Sequence, residues 1–199
     1  MKKILALTLA VVMTLLLVGC QPKISRGGID GNVYTNSYLG FTFTKPTSWT
    51  YLSDEEIAAS LNASVDVLFD GDMKQALEKS SSVYDMMVKD DRTGTNINLG
   101  YENLAKTHSA MITVEQYVDV LKEQMAELEA SGFKVTFPDT YDTAKLGETE
   151  FTRVICTTSY AGVNMKQVYY LRKQNGYMAF VIVTIVSGYS VDEIEEMFK

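Results

Sequence analysis

Cysteine and histidine are the side chains with which this sequence could carry out nucleophilic or metal chemistry, and both are scarce. The 199 residues include two cysteines and one histidine, too few for a four-cysteine zinc site or a histidine-rich metal centre. His108 would have to act as the base in any Ser-His or Cys-His arrangement, and the chain has no G-x-S-x-G motif to accompany it. The sequence therefore predicts a solvated loop histidine and a protein that is not an enzyme.

Carboxylates are more numerous, but their spacing is not that of a metal or catalytic site. Asp66, Asp70 and Asp72 lack the D-x-D-x-D-G run and the closing Glu of a calcium loop, so a solvated acidic loop is favoured over calcium binding. The pair at 90–91 suits a hairpin turn, and the acidic run 192–196 suits a helix N-terminus. With no glycine-rich phosphate motif either, we predict no metal and no cofactor.

The strongest chemical signal lies at the N-terminus. Lys2 and Lys3 precede the apolar run 4–18, which as a helix would rise about 22 Å and fall short of a ~30 Å hydrocarbon core. The run ends in Leu17-Val18-Gly19-Cys20, which resembles the lipobox of bacterial lipoproteins. In that family the cysteine thiol receives a diacylglycerol, the signal is cut before it, and the cysteine becomes the mature N-terminus. The alternative is an ordinary signal peptide with an incidental cysteine. The lipobox is favoured because the basic residues, the length of the apolar run and the small Gly19 stand in the expected order before the cysteine.

The lipobox resemblance implies a location and an organisation for the chain. Residues 1–19 would be a signal peptide, and a doubly acylated Cys20 would bind the cell membrane at its extracytoplasmic face. The mature chain would have 180 residues and a formal charge of −9 instead of −7, which disfavours nucleic acid as a partner. Residues 20–32, with Pro22 and three glycines, are predicted to form a flexible tether, and 33–199 a single domain.

Within that domain, periodicity and turn residues predict the elements. Capping boxes begin at Ser53, Thr113 and Ser190, and the second opens the best amphipathic helix, which Gly132 would end. Asn175-Gly176 predicts a tight hairpin. Strands are predicted at 41–44, 83–89, 95–104, 133–137, 148–160, 164–173 and 177–186. Because residues 178–186 are apolar on both faces, the predicted fold class is α+β, a central antiparallel sheet with helices on both faces.

One stretch also resembles a known family. The segment 36–43, followed by Pro46 and Trp49, matches the opening N-x-x-x-G-F-x-F-x-x-P-x-x-W of PsbP-like domains, which include many small lipoproteins of Gram-positive bacteria. The resemblance extends over roughly residues 34–199 and implies a PsbP-like α/β/α sandwich. Its motif consists of turn and core residues, and the functions of the fold differ, so it implies no functional residues here.

These observations favour a lipid-anchored extracytoplasmic binding or accessory protein that acts by contact with an unidentified envelope protein or ligand. The alternative is a small-molecule or metal-binding lipoprotein that assists transport. An envelope hydrolase is a third hypothesis and would depend on His108. Cys156 is predicted to be a small buried thiol in a strand. Among twelve tyrosines, Tyr160, Tyr169 and Tyr170 suit either an interface or a strand, and adjacent Tyr169 and Tyr170 must point to opposite faces.

Overall fold

The computed structural model describes residues 23–61 and 72–199, which form short helices and antiparallel strands. The strands are β1 (Gly28–Asp30), β2 (Val33–Asn36), β3 (Phe41–Thr44), β4 (Thr50–Tyr51), β5 (Ser82–Lys89), β6 (Asn96–Asn103), β7 (Lys134–Thr136), β8 (Asp142–Leu146), β9 (Thr149–Tyr160), β10 (Val163–Gln174) and β11 (Tyr177–Ile185). The helices are α1 (Asp54–Ser60), α2 (Met73–Lys79), α3 (Leu104–Thr107), α4 (Val114–Glu127) and α5 (Val191–Glu195). No helix within the two described ranges is long and apolar enough to cross a bilayer.

The strands form two antiparallel sheets. The smaller has the order β1-β2-β3, and the larger has the order β4-β5-β6-β11-β10-β9-β7, with β8 pairing with the first half of β9. Strands β10 and β11 are joined by the predicted hairpin, in which Asn175 and Gly176 both adopt positive φ, 52° and 81°. Asparagine and glycine tolerate that left-handed geometry best, which is why the pair specifies the turn.

Side chains of the larger sheet alternate between two hydrophobic clusters, one on each face. On the first face, Tyr170 and its neighbours pack against the smaller sheet and helices α2 and α5. On the second face, Tyr169 and Phe180 pack against α3 and α4, with Val118 of α4 fully buried. The predicted α+β class, with an antiparallel sheet and helices on both faces, is confirmed. The smaller sheet, which covers the first face together with two short helices, was not part of the predicted architecture.

The predicted capping boxes are present at all three positions. Ser53, Thr113 and Ser190 each accept a hydrogen bond from the backbone N–H three residues later. The side chain at that later position accepts in turn from the backbone N–H of the cap residue. Helix α4 continues as a 3₁₀ turn, Leu128–Ser131, which ends at Gly132 with φ 87°. Leu128, the first residue of this turn, is 38% exposed.

The N-terminal boundary of the domain and strand β8 differ from the sequence predictions. Residues 23–32 are not a tether: Ile24 lies in the core at 6% exposure, and β1 pairs with β2 through residues 28–30. The domain therefore includes residues 23–32, which precede the predicted boundary at 33. Strand β8 was not predicted, because its sequence DTAKL has little apolar alternation. The predicted lipidation residue Cys20, with Asp66 and Asp70, lies outside the described residues.

Candidate functional site

The side chain of the single histidine lies against a carboxylate beside helix α4. Glu102 lies near the end of β6, the one-turn helix α3 follows, and His108 forms the C-cap of α3. That turn brings His108 Nε2 to 3.2 Å from Glu102 Oε1. Tyr117, in the first turn of α4, donates its hydroxyl to Glu102 Oε2 at 2.5 Å. Two residues, one after α3 and one on α4, therefore converge on the Glu102 carboxylate.

His108 is an exposed residue of the loop after α3, as the sequence predicts, although its side chain is partly covered by its neighbours. The His108 side chain is only 19% exposed, and its ring meets the Tyr117 ring edge to face at 5.6 Å. The Glu102 side chain is 12% exposed. The sequence signal is weak because Glu102 and Tyr117 are fifteen positions apart and are joined by the sharp turn of α3. Neither was singled out from the sequence.

Beside the carboxylate lies a cavity of about 130 Å³ between α4 and the sheet, which we call the α4 cleft. Four aromatic residues line it, together with Glu102, Ser82 and three aliphatic side chains; the aromatic residues are Tyr84, Tyr117, Tyr169 and Phe180. Tyr84 and Phe180 meet edge to face at 5.3 Å. The α4 cleft thus combines a partly buried carboxylate with several aromatic rings.

The phenols of the α4 cleft remain protonated at neutral pH. Burial, followed by the hydrogen bond to Glu102, raises the pKa of Tyr117 far above its ordinary value. Burial also raises the pKa of Tyr84, and the charge of Glu102 adds to that shift. Burial raises the pKa of Tyr169 as well. These hydroxyls are therefore neutral groups, and that of Tyr117 donates to Glu102.

A second carboxylate, Asp85, is enclosed on the opposite face of the sheet. A bulge in β5 between Tyr84 and Met86 turns Asp85 toward the smaller sheet, where its side chain has 0% exposure. Tyr34 donates its hydroxyl to Asp85 Oδ2 at 2.6 Å, and the Gly27 N–H donates at 3.0 Å.

The contacts of Asp85 extend into a larger polar group, which we call the Asp85 network. Asn36 Nδ2 lies 3.2 Å from Asp85 Oδ2 and 2.7 Å from the Tyr101 hydroxyl. Arg26 Nε lies 3.5 Å from Asp85 Oδ1, and the guanidinium donates two hydrogen bonds of 3.0 and 2.9 Å to Asp54. The Asp85 network therefore fixes residues 26–27 to the core.

The other residues that the sequence analysis considered are buried or hydrogen-bonded within the fold. Cys156 is fully buried in β9, as predicted, and burial raises its pKa to about 12, so the thiol is protonated at neutral pH. Asp90 accepts from the Arg92 N–H and the Thr93 hydroxyl within its turn. Asp72 caps α2 by accepting from the Gln75 N–H at 2.9 Å. Within residues 23–61 and 72–199, no three His, Cys, Asp or Glu side chains are grouped as a metal site would require.

Tyr169 and Tyr170 are 3% and 0% exposed and lie in different clusters, which confirms that they point to opposite faces.

Tyr160, in contrast, is 44% exposed and stacks on Phe133 with ring centroids 4.1 Å apart. Val163, which pairs with Tyr160 across the β9–β10 hairpin, is 47% exposed. Phe133, Tyr160 and Val163 form an exposed apolar surface that we call the aromatic tip.

Comparison with known proteins gives distant structural likenesses. No protein-family model matches the chain, and no curated protein matches it. Among solved structures it is similar to the cyanobacterial PsbP protein CyanoP of Synechocystis, with 12% identity and a TM-score of 0.48 over 91% of this chain and 99% of that one. It is also similar to a protein of Bacteroides thetaiotaomicron, with 13% identity and a TM-score of 0.43 over 88% of this chain and 48% of that one. The α+β class stated above follows from this chain's own topology.

Proposed function

We propose that the protein is a lipid-anchored accessory protein of the extracytoplasmic face, without catalytic activity, which acts by contact with another envelope component. The anchor is the predicted diacylglyceryl group on Cys20, supported by the charge, apolar run and small residue that precede it. The observation that carries the contact role is the aromatic tip, whose stacked rings and exposed valine present apolar surface to solvent.

The packing of residue 24 into the core bears on how the anchor would act. Ile24 is already in the core, and Lys23 is three residues beyond Cys20. Three residues of extended chain span at most about 11 Å, so the lipid would hold the domain directly against the headgroups. The Asp85 network, which fixes residues 26–27, would transmit that attachment to the core.

Metabolic labelling with a radioactive fatty acid tests the anchor, with the two cysteines as a matched pair. We expect wild type and Cys156→Ser to incorporate label, and Cys20→Ser to incorporate none. Label that persists in Cys20→Ser would refute the assignment, as would unlabelled wild-type protein. Mass spectrometry of the mature N-terminus should show an acylated peptide that begins at Cys20.

Site-specific photo-crosslinking tests the contact role. A photoreactive residue in place of Tyr160 should give a discrete adduct in intact cells. The same residue in place of Met111, which is 83% exposed but distant in sequence from the aromatic tip, provides the control. Adducts of equal yield and pattern at both positions, or none at position 160, would contradict a partner at the aromatic tip.

A small-molecule-binding role is the second candidate, and the α4 cleft favours it. The cavity brings polar groups from β6 and α4 to an aromatic wall, which is the arrangement expected of a ligand site. In this role the lipid would keep a binding protein close to a membrane transporter.

A further inference from the structure

We infer that the α4 cleft binds a small organic ammonium ion, with its charged nitrogen against the Glu102 carboxylate and its alkyl groups against the rings of Tyr84, Tyr117 and Phe180. This inference rests on the second candidate role, small-molecule binding, and specifies its ligand class. It does not depend on the lipid anchor.

The charge of the α4 cleft selects a cation. Of the described residues that line the cavity, Glu102 alone is charged. A carboxylate can accept about four hydrogen bonds, and the two contacts to Tyr117 and His108 leave accepting capacity for a ligand. The chain's formal charge of −7 also favours the approach of cations over anions.

The aromatic wall favours an organic cation over a metal ion. The faces of aromatic rings carry negative electrostatic potential, and alkylammonium groups bind against them. A calcium ion needs six to eight oxygen ligands, whereas the α4 cleft offers one carboxylate and neutral hydroxyl groups. An alkylated ammonium ion can contact the rings with its alkyl groups and the single carboxylate with its charge. It therefore fits the residues that line the α4 cleft.

The size of the cavity limits the ligand. Its volume of about 130 Å³ corresponds to roughly four water molecules at ~30 Å³ each. A tetramethylammonium ion or an equivalent head group of five heavy atoms is of that scale. A nucleotide or a sugar chain could enter only in part.

Tetramethylammonium and its neutral analogue tert-butanol, which has the same number of heavy atoms, separate charge recognition from apolar filling. We propose titrating each into the detergent-solubilised full chain at constant ionic strength and following binding by saturation-transfer NMR. Tetramethylammonium should bind with a dissociation constant below about 10 mM, and tert-butanol at least tenfold more weakly. Acetate should not bind.

Two variants and one control test the assigned residues. Glu102→Gln, which keeps an acceptor for Tyr117, should weaken tetramethylammonium binding at least tenfold, and Tyr84→Leu should weaken it severalfold. Glu115→Gln, an exposed position in the first turn of α4, should leave it unchanged. Circular dichroism and the thermal midpoint show whether each variant is folded. If Glu102→Gln does not fold, the comparison of the two ligands on wild type still decides the inference.

Three outcomes would overturn the inference: no tetramethylammonium binding at about 100 mM, equal binding of tert-butanol, or unchanged affinity in Glu102→Gln. Equal binding of tert-butanol would keep a small-molecule site and reject only its cation selectivity. Fatty-acid labelling of Cys20 is independent of all three, so failure here leaves the lipoprotein proposal standing.

Discussion

Asp85 and Glu102 lie on neighbouring strands, β5 and β6, but on opposite faces of the larger sheet. Asp85 is fully enclosed and is contacted by a hydroxyl, a backbone N–H, an amide and a guanidinium. Glu102 keeps 12% exposure, has contacts to Tyr117 and His108, and borders a cavity. A carboxylate whose acceptors are filled by its own chain has a structural role, whereas one with spare acceptors beside a cavity is available to a ligand.

The difference has a structural cause. On the first face, the smaller sheet and the N-terminal segment cover β5, and the bulge turns Asp85 into that layer. On the second face, α4 packs against the sheet through Val118 but leaves the α4 cleft beside Tyr117. Close packing therefore surrounds Asp85, and incomplete packing lies beside Glu102. Four substitution or titration experiments test this contrast.

Asp85→Ala should cause the largest loss of stability. It leaves the buried donors of Gly27 and Tyr34 without their shared acceptor, and it removes one of the two carboxylates beside Arg26, which keeps its hydrogen bonds to Asp54. Breaking such a group by removing one partner costs about 3–5 kcal/mol. Urea denaturation followed by circular dichroism measures the change. A loss below about 1 kcal/mol would show that the Asp85 network does not hold the fold together.

Arg26→Ala should cost less, about 1–2 kcal/mol, because Asp85 keeps its contacts with Tyr34, Gly27 and Asn36. Lys23→Ala is the control, since Lys23 is 74% exposed and lies 3.4 Å from Asp72; its loss should stay within about 0.5 kcal/mol. The same denaturation experiment compares them. Equal losses in the two variants would mean that residues 26–27 are not specifically anchored.

Glu102→Gln should reduce stability by about 1 kcal/mol or less, because the amide oxygen can still accept from the Tyr117 hydroxyl. Its main effect should be on tetramethylammonium binding. Denaturation in urea, performed alongside Asp85→Ala, provides the direct comparison. A loss as large as that of Asp85→Ala would make Glu102 a second structural carboxylate and remove the contrast between the two faces.

Features encoded locally could be predicted from the sequence. Ser53, Thr113 and Ser190 each carry their capping partner three residues away, and Asn175-Gly176 contains its own turn geometry. The apolar run of β11 predicted a strand buried on both faces, which the structure confirms. In each case the determining residues are neighbours in the chain, so their pattern is visible without the fold.

Features that depend on distant contacts could not be predicted in this way. Residues 26–27 belong to a polar, glycine-rich stretch typical of a tether, yet Asp85, 58 positions beyond Gly27, holds them in place. The α4 cleft likewise requires Glu102 and Tyr117 to meet through the turn of α3. A bulge, which re-aims one side chain such as Asp85, leaves no periodic signal.

The pH dependence of stability should carry a smaller signature of the Asp85 network. Burial raises the pKa of Asp85 above its ordinary value of 3.8, despite its hydrogen bonds and the nearby Arg26 charge. The folded state therefore binds this proton more tightly than the unfolded state. The stabilising contribution of the proton is complete below pH 3.8 and is lost as the pH rises through the folded-state pKa.

Relative to Asp85→Asn, which cannot titrate, wild type should be more stable at pH 3.5 than at pH 7, as measured by urea denaturation at each pH. A relative stability that instead increases with pH would mean that the hydrogen bonds and Arg26 outweigh burial, and that the folded protein favours the charged carboxylate.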